Sequence, residues 1–286
     1  MCNIINKKKC FDIVNRLTGC LQCFYADVLE RAMIEFKQKA AEYPDAPGIA
    51  WEFFESVKKE LKTKNRFSNE KLDRLISHII NEKSFHHSIK PGTVLYRSRI
   101  YNRQDAVERH RCPPENDPFK GYDREGSYIN PVNDSVGEGR CNPEYISYLY
   151  VSQSVDCCVH ETSPNIYSYI SVAEIKVKEE LEIFDLGRDM PVRDGKECIV
   201  KGVPNSILLY YLYLVFSSPY EEYGDYFLSQ YISEKIKNHG FDGISFRSAV
   251  YAGSEGNTNY VIFNYHKCEP AGSRLYKVNR IDIKYE

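Results

Sequence analysis

Residues 139–161 read GRCNPEYISYLYVSQSVDCCVHE, an aromatic and apolar stretch with a charged residue near each end. Arg140 lies in a segment whose Gly, Asn and Pro content predicts a tight turn. Tyr150 lies inside the apolar run that follows, which is typical of a strand. Glu161 ends a second largely apolar run, which we also interpret as a strand. The stretch therefore predicts a turn and two short strands, with polar side chains at defined points.

The sequence around this stretch alternates between strand-like and helical segments. After residue 92 the chain contains short runs of β-branched and aromatic residues, which predict strands. These runs are 93–96, 147–151, 167–176, 182–185, 243–246 and 260–265. Helices are predicted around 204–217 and 222–239, and the polar span 102–142 predicts a loop that is either disordered or functional. The sequence thus predicts an α+β domain over residues 90–286.

The N-terminal third of the chain has a different character. Within residues 25–89, apolar side chains recur at steps of three and four, as from Leu72 to Ile80, and no strand-like alternation is visible. Ser68 is a plausible start of the helix that contains Leu72. We predict a small all-helical domain over 25–89. It follows a cysteine-containing segment, residues 1–24, which holds four of the ten cysteines.

Composition excludes several classes of function. The chain has 286 residues, 42% of them hydrophobic, which is enough for a substantial core. A formal net charge of −2 argues against a large nucleic-acid-binding surface. The longest apolar run, 207–216, is too short to cross a membrane and predicts a buried helix. The N-terminus has no apolar signal-peptide core, so we expect a cytoplasmic protein with reduced cysteines and no membrane partner.

A few polar residues stand at the ends of strand-like runs or inside them, and these are the candidates for chemistry. The candidates are Arg97, Arg140, Tyr150, Glu161, Ser248 and Asn259. Each of them alone has a structural interpretation. A strand-end arginine or glutamate is usually solvated or salt-bridged, Tyr150 could pack in the core, and Asn259 could cap its strand. Their order along the chain is what favours a shared site.

That order resembles the RES domain family. The segments 139–143 and 147–152, followed by Glu161, look like the family's central signature, and Tyr96-Arg97 matches its opening pair. Its closing strands match Arg247-Ser248 and the apolar run that begins at Asn259. The resemblance covers residues 90–270. Cys141 and Tyr145 depart from the small residues expected at their positions. This leaves the loop shape and the access of substrate undetermined, but it does not affect the fold.

The resemblance implies a fold and an activity. RES domains are similar to ADP-ribosyltransferases, in which two β-sheets packed with helices enclose NAD in a cleft. Members consume NAD, as a substrate and not as a bound cofactor, and many are toxins restrained by an antitoxin. The resemblance therefore implies an NAD-consuming enzyme that cleaves the nicotinamide–ribose bond by hydrolysis or phosphorolysis. A cognate antitoxin or immunity protein would be its partner.

The same resemblance assigns roles to the candidate residues. Glu161, Arg97 and Tyr150 form the expected catalytic set, with Glu161 stabilising the positive charge that develops on ribose. Arg97 and Arg140 are expected to bind the pyrophosphate, because a guanidinium group offers planar, bidentate donors. Tyr150 would stack on nicotinamide or bond to a ribose hydroxyl. Ser248 and Asn259 would position ribose or the carboxamide.

The N-terminal segment resembles the start of longer RES proteins, which begin with a zinc ribbon and a helical domain related to the HEPN fold. Cys10, Cys20 and Cys23 look like parts of that ribbon, but Lys7 stands where a fourth ligand is expected. Cys2 could replace it only at a non-standard spacing. We therefore favour a metal-free remnant over a zinc site. The helical region lacks the Arg-x4-His motif of HEPN ribonucleases, so an RNase role is not expected.

Two alternative functions stay open at this stage. A protein ADP-ribosyltransferase would use the same site with a protein acceptor in place of water or phosphate. A catalytically silent NAD-binding or interaction module would keep the fold without the reaction, and the intact Arg, Tyr, Glu and Ser set argues against it. The sequence does not identify the acceptor, the partner or the role of the helical region.

Overall fold

The computed structural model describes residues 29–108, 112, 115–128, 136–187, 198–217, 226–251, 253 and 255–281. It begins with helices α1 (Leu29–Glu42), α2 (Ala46–Thr63) and α3 (Glu70–Ile80). Helix α3 buries the apolar residues that recur at helical spacing in the sequence. Its N-cap is Asn69 and not Ser68, because the Asn69 Oδ1 atom accepts a hydrogen bond from the backbone N–H of Leu72 at 3.1 Å.

The remaining described chain forms a mixed sheet with helices on it. Its strands are β1 (His86–Ile89), β2 (Val94–Ile100), β3 (Leu149–Ser152), β4 (Tyr169–Val177), β5 (Leu181–Asp185), β6 (Gly243–Arg247), β7 (Thr258–Ile262) and β8 (Cys268–Lys277). Its helices are α4 (Arg103–Glu108), α5 (Val155–Glu161), α6 (Asn205–Ser217) and α7 (Phe227–Asn238). The eight strands lie in the order β1-β5-β6-β7-β3-β2-β4-β8. Among the strands that the structure describes, only β5 and β6 pair in parallel.

The sheet is nearly divided between β3 and β2. These two strands share a single paired position, Tyr96 opposite Ser152, whereas β2 pairs with β4 along its whole length. One guanidinium nitrogen of Arg97 donates to the carbonyl oxygen of Tyr150 at 3.1 Å, where further backbone pairing is absent. The sequence resemblance implied two separate sheets. The described residues instead form one sheet, in which a single residue pair joins β2 to β3.

Two layers of core lie on opposite faces of this sheet. One face packs against α6 and α7, and the N-terminal helices join the same continuous apolar cluster, which includes Phe54, Leu75, Phe184 and Leu212. The second face is covered by a smaller cluster that contains Leu149 and Ile262. No helix in the described ranges is long and apolar enough to cross a membrane.

Two local predictions are corrected by the structure. The run that ends at Glu161 is helix α5 and not a strand, because Ser154 caps it: the Ser154 Oγ atom accepts from the backbone N–H of Cys157 at 3.1 Å. Strand β1 lies within the region predicted to be helical and pairs with β5 of the main sheet. The division into domains at residues 24 and 89 stays a prediction.

We expect Gly243→Ala to destabilise the protein. A Cβ atom at Gly243 would lie 2.5 Å from the carbonyl oxygen of Val261, a backbone atom in the middle of the sheet. Overpacking of this kind costs about 1–3 kcal/mol, so the melting temperature should fall by several degrees. Gly137→Ala is the matched control, since its Cβ would meet nothing within 4 Å. Equal melting temperatures for the two variants would contradict the close strand approach.

Candidate functional site

A cavity of about 320 Å³ opens where β2 and β3 diverge. Its walls come from these two strands, from helix α5, from strand β7 and from the turn that holds Arg140. The lining residues are Tyr96, Arg97, Ser98, Arg140, Tyr150, Val151, Ser152, Cys158, Glu161, Thr162, Tyr226, Phe246, Asn259 and Tyr260. Five of the six residues singled out from the sequence are among them, and Ser248 contacts Glu161 from behind. Side chains far apart in the chain thus meet at one point.

Arg97 brings a positive charge into the wall of the cavity. Its Nε atom is buried and makes no hydrogen bond, and no Asp or Glu within the described ranges pairs with its guanidinium group. Burial, reinforced by the neighbouring charge of Arg99, lowers the pKa of Arg97 to about 9. The group stays protonated at neutral pH, and no described carboxylate compensates its charge. An anion in the cavity would supply that compensation.

Arg140 is a second cation without an acidic partner in the part of the chain that the structure describes. One of its guanidinium nitrogens donates to the carbonyl oxygen of Val215 at 3.2 Å. The rings of Tyr226 and Phe246 each lie 5.9 Å from its guanidinium carbon, which is within the range of cation–π attraction. Among the described residues, neutral groups therefore hold this side chain.

Glu161 is the exposed carboxylate at the edge of the cavity. It is the last residue of α5, where the partial negative charge of the helix carbonyl groups disfavours an acid. Two side-chain donors offset this effect: Ser248 Oγ and Asn259 Nδ2 both lie 2.6 Å from the Glu161 Oε1 atom. Both donors bind the same oxygen, and Oε2 has no hydrogen bond from a described residue. The carboxylate is held in place without being neutralised.

Ser248 and Asn259 occupy different positions relative to the cavity. The Ser248 side chain is fully buried, and its Oγ also accepts from the backbone N–H groups of Val250 and Tyr251, at 3.2 and 2.9 Å. This places Ser248 behind Glu161, away from the cavity surface that a ligand would touch. Asn259 does line the cavity, and its Oδ1 atom accepts from Ser152 Oγ at 2.6 Å. The sequence-based proposal that Ser248 touches NAD thus becomes a proposal that it positions Glu161.

The hydroxyl group of Tyr150 is engaged in the turn that carries Arg140. It donates to Asn142 Oδ1 at 2.7 Å and accepts from the backbone N–H of Cys141 at 3.0 Å. Burial raises the pKa of Tyr150 well above its ordinary value, so the phenol stays neutral. Gly139 must lack a side chain here, because its Cβ would lie 2.8 Å from the Tyr150 hydroxyl oxygen. Tyr150 lines the cavity, and the one proton of its hydroxyl is donated to Asn142.

The cysteines near the site are not suited to nucleophilic catalysis. Cys158 lines the cavity and Cys157 lies beside Asn259, yet both are buried. Burial raises the pKa of Cys157 to about 11 and that of Cys158 to about 12, so both are protonated thiols at neutral pH.

Several residues of the site were missed by the sequence analysis. Ser152, which supports Asn259, is the last residue of β3. It lies inside the segment 147–152 that resembles the family signature, but it was not singled out as a site residue. Asn142 lies inside the predicted turn, and the turn-forming composition of that segment was the sequence signal that pointed to it. Ser229 and Gln230, which bond to the backbone of the Arg140 turn, belong to an ordinary helical pattern. No local sequence feature distinguishes Ser229 and Gln230 from other buried polar residues.

The zinc hypothesis concerns residues outside those described. Cys2, Cys10, Cys20 and Cys23 all lie before residue 29, and the metal-free interpretation of them stays a prediction. Over the described ranges, no group of three or more His, Cys, Asp or Glu side chains is arranged to hold a metal ion.

The fold and the site define an α+β protein whose cavity combines two guanidinium groups, neither with an acidic partner among the described residues, with one exposed carboxylate. The sequence profile of the RES domain matches residues 103–281, well over half of the chain. The protein therefore belongs to the RES domain family. The match includes Arg140, Tyr150 and Glu161, whereas Arg97 lies just before it.

Comparison with other proteins adds two findings. No curated protein sequence matches the chain. Among solved structures, the chain is similar to one in the crystal structure of the M. tuberculosis MbcT–MbcA toxin–antitoxin complex. The two share 14% identity at a TM-score of 0.37, over 73% of this chain and 92% of that one. The family assignment rests on the sequence match.

We expect Tyr150→Phe to loosen the Arg140 turn. The change leaves Asn142 Oδ1 and the Cys141 N–H without the partner they share. Unpaired groups in a buried site cost about 1–3 kcal/mol each, so the melting temperature should fall by several degrees. Tyr145→Phe, at a tyrosine that is 71% exposed, is the control. Unchanged stability of Tyr150→Phe, as measured by calorimetry, would show that the hydroxyl does not hold the turn.

Proposed function

We propose that this protein consumes NAD by breaking the bond between nicotinamide and ribose, with water or phosphate as the acceptor. Members of the RES domain family consume NAD, and the family assignment supports an enzyme of that kind. The observation that carries the proposal is the charge arrangement of the cavity. Arg97 and Arg140 present positive charge and have no acidic partner in the described part of the chain, and Glu161 presents one exposed negative charge.

The two arginines suit the pyrophosphate of a dinucleotide. Phosphate oxygens are strong acceptors, and guanidinium groups bind them through short, charge-assisted hydrogen bonds. Arg97 has a buried Nε without a hydrogen-bond partner, and Arg140 is held by a carbonyl and two rings. Binding of a dianionic pyrophosphate would compensate both charges. It would also raise the depressed pKa of Arg97 toward its ordinary value.

Glu161 suits the reacting end of the molecule. When the bond from ribose C1′ to the pyridinium nitrogen breaks, both electrons leave with nicotinamide, which departs as a neutral molecule and needs no general acid. Positive charge then develops on the ribose ring, and a fixed carboxylate stabilises it electrostatically. Water or phosphate adds to C1′, and water would release its proton to solvent. The free Oε2 of Glu161 is the oxygen available to face the ribose.

The family assignment also suggests a biological setting. Loss of NAD is harmful to the cell that contains the enzyme, so we infer a toxin or defence effector restrained by a cognate antitoxin or immunity protein. Transfer of ADP-ribose to a protein remains the alternative outcome at the same site. The identity of the product distinguishes cleavage with water or phosphate from transfer of ADP-ribose to a protein.

We expect the purified protein, free of inhibitor, to convert NAD to nicotinamide and an ADP-ribose product. Incubation with and without phosphate, followed by mass spectrometry, distinguishes hydrolysis from phosphorolysis. An ADP-ribose adduct on added protein would instead indicate a transferase. Intact NAD after prolonged incubation with phosphate and candidate protein acceptors would refute the proposed function.

Substitutions at Glu161 and at the arginines should have different kinetic effects. Glu161→Gln keeps the shape of the side chain but removes its charge, which acts mainly in the transition state, so kcat should fall by about two orders of magnitude or more while KM changes little. Arg97→Ala and Arg140→Ala should raise KM for NAD at least tenfold, because a charge-assisted hydrogen bond contributes about 1.5–3 kcal/mol.

Matched controls separate these effects from loss of folding. Glu179→Gln changes an exposed acid in the β4–β5 connection, and Arg124→Ala removes an exposed arginine whose partner is Glu269. Both controls should retain the wild-type kcat and KM. A folded Glu161→Gln protein with near-normal turnover would exclude Glu161 from the reaction.

A further inference from the structure

The backbone of the Arg140 turn is held by helix α7. Gln230 Nε2 donates to the carbonyl oxygens of Gly139 and Asn142, both at 3.0 Å, and Ser229 Oγ donates to the carbonyl oxygen of Arg140. Gln230 is only 4% exposed, and its bond to Asn142 is buried while its bond to Gly139 is partly buried. To the residues that the structure describes, the Arg140 side chain makes one hydrogen bond, to Val215. The position of its charge therefore depends on how firmly the turn is held.

The remaining atom of the Gln230 amide points to the N-terminal helices. Its Oε1 accepts from a guanidinium nitrogen of Arg66 at 3.3 Å, in the connection between α2 and α3. Arg66 itself lies over the ring of Phe227, at 4.7 Å from the ring centroid. Since Arg66 can only donate and the two carbonyls can only accept, the Gln230 amide has one orientation that satisfies all three partners.

Further bonds join α7 to the start of α3. The hydroxyl group of Tyr231 accepts from the backbone N–H of Asn69 at 2.8 Å and donates to Asp73 Oδ1 at 2.7 Å. Lys235, one turn later, forms an ion pair with Asp73 at 2.9 Å. Helix α7 is thus bonded to the N-terminal helices and, through Ser229 and Gln230, to the Arg140 turn.

We propose that Gln230, oriented by Arg66, is a positioning residue for Arg140, and that the N-terminal helical region thereby sets the affinity of the cavity for the pyrophosphate of NAD. The affinity part of this inference rests on the proposed function. It gives the helical region a role in substrate binding, through α7, without any contact between that region and the ligand.

Kinetics of substituted proteins test the inference. Gln230→Met keeps the size of the side chain but loses both donors, so KM for NAD should rise about five- to tenfold, while kcat stays within about twofold. Gln230→Glu should raise KM for NAD at least as much as Gln230→Met. The carboxylate would attract Arg66 more strongly, but it would repel the two carbonyl oxygens. Arg66→Ala should raise KM about two- to threefold, since Arg66 is exposed.

Arg74→Ala is the control, because Arg74 is an exposed arginine of α3 with no hydrogen bond or ion pair to α7 among the described residues. It should leave both kinetic constants unchanged. A general loss of folding would lower the active fraction, and with it kcat, instead of raising KM. If Gln230→Met and Arg66→Ala both keep the wild-type KM, the inference is wrong.

Hydrogen exchange provides a readout that is independent of activity. The backbone N–H groups of Gly139 and Cys141 bond within the turn, to Asn142 O and to the Tyr150 hydroxyl. These amides should exchange faster in Gln230→Met and, to a lesser extent, in Arg66→Ala, but not in Arg74→Ala. If the wild type releases no nicotinamide, the proposed function fails, and this comparison still decides whether Gln230 holds the turn. Equal exchange in all four proteins would overturn the positioning role.

Discussion

The structure of the site depends on the separation of β2 from β3 and on the guanidinium group that lies between them. Two neighbouring strands usually share a ladder of backbone hydrogen bonds, but here they share one residue pair. Arg97 donates to the Tyr150 carbonyl beside this pair and so satisfies an acceptor that the ladder leaves unpaired. A shorter side chain would leave that acceptor unpaired, and a complete ladder would close the cavity. Arg97 therefore both links the two strands and places a positive charge in the cavity wall.

A second constraint is that the charged residues of the site are held by neutral groups. Ser248 and Asn259 hold Glu161, and a carbonyl together with two aromatic rings holds Arg140. An acidic partner for either arginine would fix its side chain more firmly, but it would also cancel the charge that an anionic ligand needs. Neutral donors and acceptors orient the side chains and leave their net charges in place. This arrangement costs folding stability, because each uncompensated charge near the protein interior is poorly solvated.

The helical region and the sheet are connected through shared packing and hydrogen bonds. Helices α2 and α3 contribute to the same apolar cluster as α6 and α7, and strand β1 adds to the edge of the sheet beside β5. Helix α7 lies between the two regions and bonds to both of them. Residues well outside the cavity therefore belong to the structure that shapes it, and a change in the α2–α3 connection can reach the Arg140 turn through Gln230.

The amino-acid sequence by itself determined the family, the predominantly helical N-terminal region, most of the strands and six residues that meet at or beside one cavity. These features depend on local periodicity or on motif order, both of which are visible along the chain. Only the tertiary structure decided that Glu161 ends a helix, since a short apolar run suits a strand and a buried helix equally well. It also decided that Ser248 stands behind Glu161 and that the Tyr150 hydroxyl belongs to a turn. Gln230 bonds to a residue 91 positions away in the chain, and no local pattern can encode such a contact, because it exists only after the sheet and α7 have packed together.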